Sequence, residues 1–122
     1  MNSYSDERAT PRFERDFTVF IEVSPESGSG STENEIIICK SLNLSQDGFQ
    51  VTVDRNLKEG HILKSCLEIK GRDLIFVVAE VIWTSYSDDS RTYDVGFKIL
   101  DSKDTDFENW QQTILEIFSE QT

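Results

Sequence analysis

Short apolar runs separated by polar turns follow one another along most of this chain, and their spacing constrains the fold more than any other feature. Phe49, Val51 and Val53 alternate strictly with polar residues, which is the pattern of a strand with one buried face. The runs are rich in β-branched and aromatic residues, which favour strands. About six such runs joined by short turns predict an all-β protein, either a small antiparallel barrel or a sandwich.

The turn residues set approximate limits for the predicted strands. In the run HILKSCLEIK we expect Ile62, Cys66 and Leu67 to face the core. The polar stretch from Ser24 to Glu35 is predicted to be a flexible loop. The first strand is predicted to begin near Asp16. The remaining strands are predicted over Glu35 to Leu42, Phe49 to Val53, Leu74 to Trp83 and Thr92 to Leu100.

One helix is predicted at the C-terminus, over about residues 104–119. Thr105 and Glu108 have the spacing of a capping box at its start. Apolar residues then recur at helical spacing and form a single stripe. We expect this stripe to close an open end or face of the sheet, with binding of a partner protein as the alternative. The stripe consists of Phe107, Trp110, Ile114 and Phe118.

Composition limits the kinds of partner that the chain can bind. Its 122 residues are enough for one domain, and 12 basic against 23 acidic residues give a formal net charge of -11. Such a charge repels DNA, RNA and anionic lipid, so we expect no nucleic-acid binding. No apolar run approaches the ~18 residues that cross a bilayer, and the N-terminus lacks a secretory signal. We therefore expect no membrane insertion and a cytoplasmic location.

The motifs give no support for catalysis or metal binding. Cys39 and Cys66 lie far apart in predicted strands, and with His61 alone they cannot form a structural zinc site without recruited carboxylates. We expect two buried, reduced thiols and a turn position for His61. The signatures of hydrolases, metalloproteases and nucleotide-binding enzymes are missing. The chain is predicted not to be an enzyme and to hold no metal or cofactor.

Arginines are concentrated in the N-terminal arm, residues 1–15, which lacks a hydrophobic period and is predicted to be flexible. Arg8, Arg12 and Arg15 fall in this arm, without any lysine. The arginine fork binds phosphate oxygens or a guanine edge through paired hydrogen bonds, and its flat face stacks on a base. Acidic residues next to these arginines offset their positive charge. Taken alone, the segment would therefore be a solvated arm and not a binding site.

A second cluster, NLSQDG from Asn43 to Gly48, ends one predicted strand and starts the next. Asn43 and Ser45 are two residues apart, so on an extended backbone they share a face and offer an amide and a hydroxyl. Gly48 permits a close approach of the backbone to a ligand. By itself the cluster would be an ordinary turn that closes a hairpin.

In this order and context, the two clusters resemble the signature of PilZ domains, bacterial receptors for cyclic di-GMP. RATPR at residues 8–12 is similar to the family's R-x-x-x-R arm, and NLSQDG at residues 43–48 to its [D/N]-x-S-x-x-G turn. VIW at 81–83 and YDVGFKIL at 93–100 resemble the family's closing hairpin, whose last strand carries a glycine near an aromatic residue. The resemblance implies a six-stranded antiparallel β-barrel over residues 16–122, with one C-terminal α-helix.

The resemblance also implies roles for individual residues. Arg8 and Arg12 would contact the phosphates and a guanine edge of cyclic di-GMP and stack on the base. Asn43 and Ser45 would bond guanine and the ligand backbone. Gly48 would let the turn lie close to the ligand.

Two residues of the arm leave alternatives open. Arg15 is an accessory candidate for the ligand, with pairing to a surface acid as the alternative. Glu7 stands where a basic residue would favour a stacked pair of ligand molecules. One and two ligands per protein therefore both remain possible.

The family resemblance implies a receptor or adaptor that signals by binding. Because the arginines precede the barrel, we expect the ligand to order the arm and so create a surface for a separate effector protein. Family members control motility, exopolysaccharide synthesis and surface attachment in biofilms. The alternative is a PilZ-like adaptor that works through protein contacts without the nucleotide.

Overall fold

The computed structural model describes residues 17–25, 33–69 and 72–121 of the chain. The strands are antiparallel and follow the order β1-β2-β3-β6-β5-β4, and β4 pairs with β1 to close the barrel. For the described residues this confirms the predicted all-β class, the antiparallel pairing of the strands and the helix at the C-terminal end. The elements are β1 (Phe17–Val23), β2 (Glu35–Leu44), β3 (Gly48–Val53), β4 (Ile62–Glu68), β5 (Ile75–Ser87), β6 (Thr92–Leu100) and α1 (Phe107–Gln121).

The number of strands depends on how β5 is divided. Its 13 residues are interrupted by a bulge between Val81 and Trp83. The part before the bulge pairs with both β4 and β6, whereas the part after it pairs with β6 alone. Counted separately, the two parts give seven strand segments where the sequence predicted six. An apolar run gives no sign of such a bulge, because the extra residue is set by pairing with the neighbouring strand.

Inward side chains of all strands form one core, and α1 packs against it. Trp110 and Ile114 of the predicted apolar stripe are fully buried, and Phe107 is partly buried against the core. Ile117 is also buried. The side chain of Phe118 lies outside the described part of the chain. The expectation that the stripe covers the sheet is therefore confirmed for the part of it that the structure describes.

The start of α1 differs from the prediction. The helix begins at Phe107, not near residue 104, and the hydroxyl of Thr105 donates to the carbonyl of Ser102. Asp106 precedes the helix and accepts a hydrogen bond from the backbone N–H of Phe76 at 2.8 Å. Its own N–H donates to the carbonyl of Phe76 at 2.7 Å. A tertiary contact with β5, and not the predicted capping box, thus fixes where the helix starts.

The prediction for the inward face of β4 was wrong. Ile62 is 58% exposed and Cys66 is half-buried on the outer face, whereas Leu63, Ser65 and Leu67 point inward. The polar Ser65 obscures the alternation, because it occupies a core position. Its hydroxyl has no hydrogen-bond partner among the described residues. Of the three residues of this strand that were predicted to face the core, only Leu67 does so.

Other predicted features hold to within a few residues. Phe49, Val51 and Val53 are buried, as their alternation predicts, and His61 follows the turn before β4. The arm and residues 26–32 of the predicted loop lie outside the described residues. In the part of the chain that the structure describes, no helix is long and apolar enough to cross a membrane.

The buried thiol of Cys39 should react slowly with a thiol reagent. Cys39 is buried, and burial, followed by the nearby carboxylate of Asp54, raises its pKa from 9.0 to about 11. At pH 8 a Cys66→Ser protein, in which Cys39 is the remaining thiol, should therefore react ~100-fold more slowly than a free thiol. Its rate should rise about tenfold per pH unit up to pH 10, because only the thiolate is the nucleophile. Fast labelling at pH 8 that equals the urea-unfolded control would contradict this.

Candidate functional site

The hairpin between β2 and β3 is organised by the side chain of Ser45. Its hydroxyl accepts hydrogen bonds from the backbone N–H groups of Asp47 and Gly48, both at 3.3 Å. Its own N–H donates to the carbonyl of Gly48 at 3.0 Å. The turn is shorter than the sequence suggested, because β2 continues through Asn43 to Leu44. Ser45 therefore shapes this turn as well as lining the surface beside it.

Two distant elements hold the same turn in place. The N–H of Ile99 in β6 donates to the carbonyl of Asp47 at 2.8 Å. The indole N–H of Trp110 in α1 donates to the carbonyl of Gln46 at 3.1 Å. Trp110 is fully buried, so this bond forms where water competes little. The turn is thus attached both to the sheet and to the C-terminal helix.

Gly48 is required by the close approach of β3 to β6. A Cβ atom at this position would overlap the backbone carbonyl of Phe97. Backbone atoms of a paired strand cannot move aside as a side chain can. The glycine of the NLSQDG sequence therefore has a structural reason that is independent of any ligand.

Four outward positions form one row across the face next to the turn. Asn43 pairs with Gln50, Gln50 with Gly96, and Gly96 with Trp83. The row therefore runs across β2, β3, β6 and β5. Gly96 contributes no side chain, which leaves space over its backbone for a neighbouring side chain.

The indole of Trp83 lies across Gly96. A Cβ atom at Gly96 would overlap Nε1 and Cε2 of the indole, so the aromatic ring sits directly on the glycine backbone. Trp83 nevertheless remains 38% exposed. The bulge after Val81 places Trp83 on this outer face, whereas unbroken alternation from the inward Val81 would turn it into the core.

The turn and this row surround an open cavity of about 470 Å³. Its size is within the range of small-molecule sites. The lining combines two amides, a hydroxyl, an indole, one carboxylate and one cation. Its residues are Asn43, Leu44, Ser45, Asp47, Gly48, Phe49, Gln50, Ile82, Trp83, Gly96, Phe97 and Lys98.

The structure brings together three of the predicted site residues. Asn43, Ser45 and Gly48 line the cavity, whereas Arg8, Arg12 and Arg15 lie outside the described residues. Sequence reasoning had not assigned Gln50, Trp83 or Lys98 to a site. The glycine and tryptophan of the closing hairpin were visible as a resemblance, but their contact depends on the register of β5 against β6.

The family of the chain follows from comparison with known proteins. The PilZ domain model matches residues 6–116, and the chain therefore belongs to the PilZ domain family. Among curated protein sequences, none matches the chain.

Solved structures of PilZ-containing proteins share the fold. The Bacillus subtilis inhibitor of motility, MotI/DgrA, matches with a TM-score of 0.65 and 19% identity, over 93% of this chain and 52% of that chain. MrkH of K. pneumonia in its apo state matches with a TM-score of 0.66 and 18% identity, over 98% of this chain and 54% of that chain. The chain thus spans about half the length of these two proteins. The PilZ domain of YcgR from Escherichia coli, solved with c-di-GMP, matches with a TM-score of 0.60 and 15% identity, over 93% of each chain.

The contact between Trp83 and Gly96 predicts a non-additive pair of substitutions. Gly96→Ala should lower the free energy of unfolding by about 1–2 kcal/mol, because the indole must leave its place. In a Trp83→Ala background the same change should cost much less, since the overlapping ring is gone. Urea unfolding of the four proteins measures this coupling. Equal costs of Gly96→Ala in both backgrounds would show that the ring does not lie on the glycine.

The bond from Trp110 predicts a second effect on stability. Trp110→Phe keeps an aromatic ring in the core but leaves the carbonyl of Gln46 without its indole donor. We expect a loss of about 1–2 kcal/mol, measured by urea unfolding. Trp83→Phe, at the half-exposed tryptophan, is the matched control and should cost less. The assignment fails if the two variants are equally stable.

Proposed function

We propose that this PilZ domain is a receptor for cyclic di-GMP. The observation that carries the proposal is the cavity beside the Ser45–Gly48 turn, because the polar residues of the [D/N]-x-S-x-x-G signature line it. The PilZ domain of YcgR, which shares the fold over 93% of its length, was solved with c-di-GMP. The alternative remains a PilZ-like adaptor without ligand, and the titration below separates the two.

The polar lining supplies groups suited to a guanine base and a phosphodiester. We assign the Asn43 amide to a guanine edge, since an amide both donates and accepts hydrogen bonds. The Ser45 hydroxyl accepts from the turn, and its closest protein acceptor is the carbonyl of Gly48 at 3.5 Å. That long contact leaves its proton available to redirect to a ligand oxygen. Gly48 keeps the turn close to the strand and so leaves room for the ligand.

The charge of the cavity explains why the arm would be needed. Lys98 and Asp47 are the charged residues of the lining, and their charges cancel. Cyclic di-GMP is a dianion, so the described lining alone does not neutralise it. We propose that Arg8 and Arg12 supply the two positive charges, with Arg15 as an accessory contact.

The barrel starts close enough to the cavity for the arm to reach it. Phe17, the first residue of β1, pairs with Ser41, which is two residues before Asn43 in β2. Five peptide steps separate Arg12 from Phe17, and an extended chain covers at most ~17 Å over that length. An arginine at position 12 is therefore within reach of the turn.

Trp83 adds an aromatic surface to this site. Its indole forms one side of the cavity, opposite the amide of Asn43 along the same cross-strand row. A base that stacks on an exposed aromatic ring gains about 1–3 kcal/mol. We propose that one guanine of the ligand stacks on this indole.

The signalling step follows from the position of the arginines. We propose that the arm becomes ordered over the barrel when the ligand neutralises it, and that arm, ligand and barrel then form a surface for a separate effector protein. One of the related structures is an inhibitor of motility, so motility is the first pathway to examine. The ordering consumes binding free energy, and the affinity should fall with salt.

Calorimetric titration of the protein with cyclic di-GMP tests the receptor function. We expect saturable binding with a Kd of ~1 μM or tighter, and a loss of at least about tenfold in Arg12→Ala. Arg72→Ala is the matched control, because Arg72 pairs with the exposed Glu116 at 2.7 Å and does not line the cavity. The isotherm also gives the number of ligands per protein. Absence of heat from folded protein would favour the ligand-independent adaptor.

Amide hydrogen exchange tests the ordering of the arm. Residues 1–15 should exchange more slowly when cyclic di-GMP is bound, because their N–H groups become involved in contacts. The turn at Ser45 to Gly48 should gain protection in the same experiment. If the arm exchanges equally fast with and without saturating ligand, it does not fold over the site.

A further inference from the structure

An apolar row crosses the outer face of the barrel on the side formed by β2, β1, β4 and β5. In their order across these strands, its members are Ile38, Phe20, Cys66 and Phe76. Ile38 is 69% exposed and Phe76 is 56% exposed, while the two central residues are half-buried. An apolar patch of a few hundred Å² on the surface of a folded domain is often a place where another molecule binds.

This row is separate from the candidate site. Its central strands, β1 and β4, contribute no residue to the lining of the cavity. The inference therefore goes beyond cyclic di-GMP binding and does not depend on it.

Charged side chains of both signs flank the apolar row. On one side of the row, two residues further along the strands, lie Lys40 and Glu68. On the opposite side lie Glu22 and Lys64. Their charges sum to zero, in a chain whose net charge is -11. Among the described residues, no ion pair engages any of these four side chains.

We propose that the apolar row is the surface through which two copies of this chain associate. A two-fold axis parallel to the strands, between β1 and β4, places β1 of one copy opposite β4 of the other. Phe20 then faces Cys66 of the second copy, and Glu22 faces Lys64 of the second copy. Apolar groups meet apolar groups along the row, and opposite charges meet at the Glu22–Lys64 end, which is the self-complementarity that an isologous interface requires.

The local charge favours a second copy over a strongly charged partner. A neutral surface offers no attraction to a polyanion or a polycation, whereas it pairs its own two signs with those of a copy. At physiological ionic strength, charges more than ~8 Å apart are largely screened, so the remaining acids of the two chains repel each other weakly. The facing pairs are closer than that distance and keep their attraction.

The size of the surface sets the expected strength. The central face spans four strands that lie ~4.8 Å apart and about five residues along each strand, at ~3.4 Å per residue. Its area is therefore roughly 300 Å². Stable interfaces bury ~800 Å² on each partner. The dimer is therefore weak, and its population depends on protein concentration.

Sedimentation velocity of the full chain, over a range from about 10 μM to 1 mM, tests this association. The wild-type protein should shift from monomer to dimer as the concentration rises. Glu22→Lys and Lys64→Glu each place like charges opposite one another in a homodimer, so each should weaken the association about tenfold. A 1:1 mixture of the two variants restores opposite charges across the interface and should recover dimer to near the wild-type level.

Controls separate the interface from general effects on the fold. Ile38→Asp puts a charge on the outward end of the row and should abolish the dimer. Leu115→Asp makes the same kind of change at an exposed position of α1 and should leave the dimer intact. Circular dichroism confirms that each variant is folded. A wild-type protein that stays monomeric to about 1 mM, or a mixture no more associated than its two components, would overturn the proposal.

Discussion

Four residue pairs between β1 and β4, from Thr18–Glu68 to Ile21–Ser65, join the two ends of the sheet. Because the sheet is closed in this way, every strand has one face in a common core and one face outside. The outer face is then divided between two regions. One carries the cavity on β2, β3, β6 and β5, and the other carries the apolar row centred on β1 and β4.

The C-terminal helix links the core to the side of the barrel that carries the cavity. Trp110 is buried with the core residues, and its indole N–H reaches the carbonyl of Gln46 in the turn beside the cavity. The same turn is held by the N–H of Ile99 and by the hydroxyl of Ser45. A turn whose backbone is held by two other elements and by a hydrogen bond of its own loses little freedom when a ligand binds, which favours affinity. In the proposed receptor, most of the ordering cost then falls on the N-terminal arm.

Much of the fold could be predicted because two-residue periodicity is a local property. The alternation at Phe49, Val51 and Val53 predicted their burial correctly, and the residues of NLSQDG predicted a turn where one forms. The errors have physical causes that are not local. The polar Ser65 occupies a core position, so the alternation did not show which face of β4 points inward. Asp106 sets the start of α1 through its hydrogen bonds to Phe76 in β5. A capping pattern in the sequence cannot reveal such a bond across the fold.

The all-β class, the turn at Ser45 and the presence of three arginines before the first strand can all be derived from the amino-acid sequence. Which distant residues line the same cavity depends on the tertiary structure. Trp83 lies on Gly96 because a bulge in β5 turns its side chain to the outer face, and Gln50 lies between Asn43 and Gly96 because of the register of three strands. Register and bulges are set by the packing of the whole barrel, since shifting a strand by one residue would expose its buried face. No single segment of the sequence carries that information.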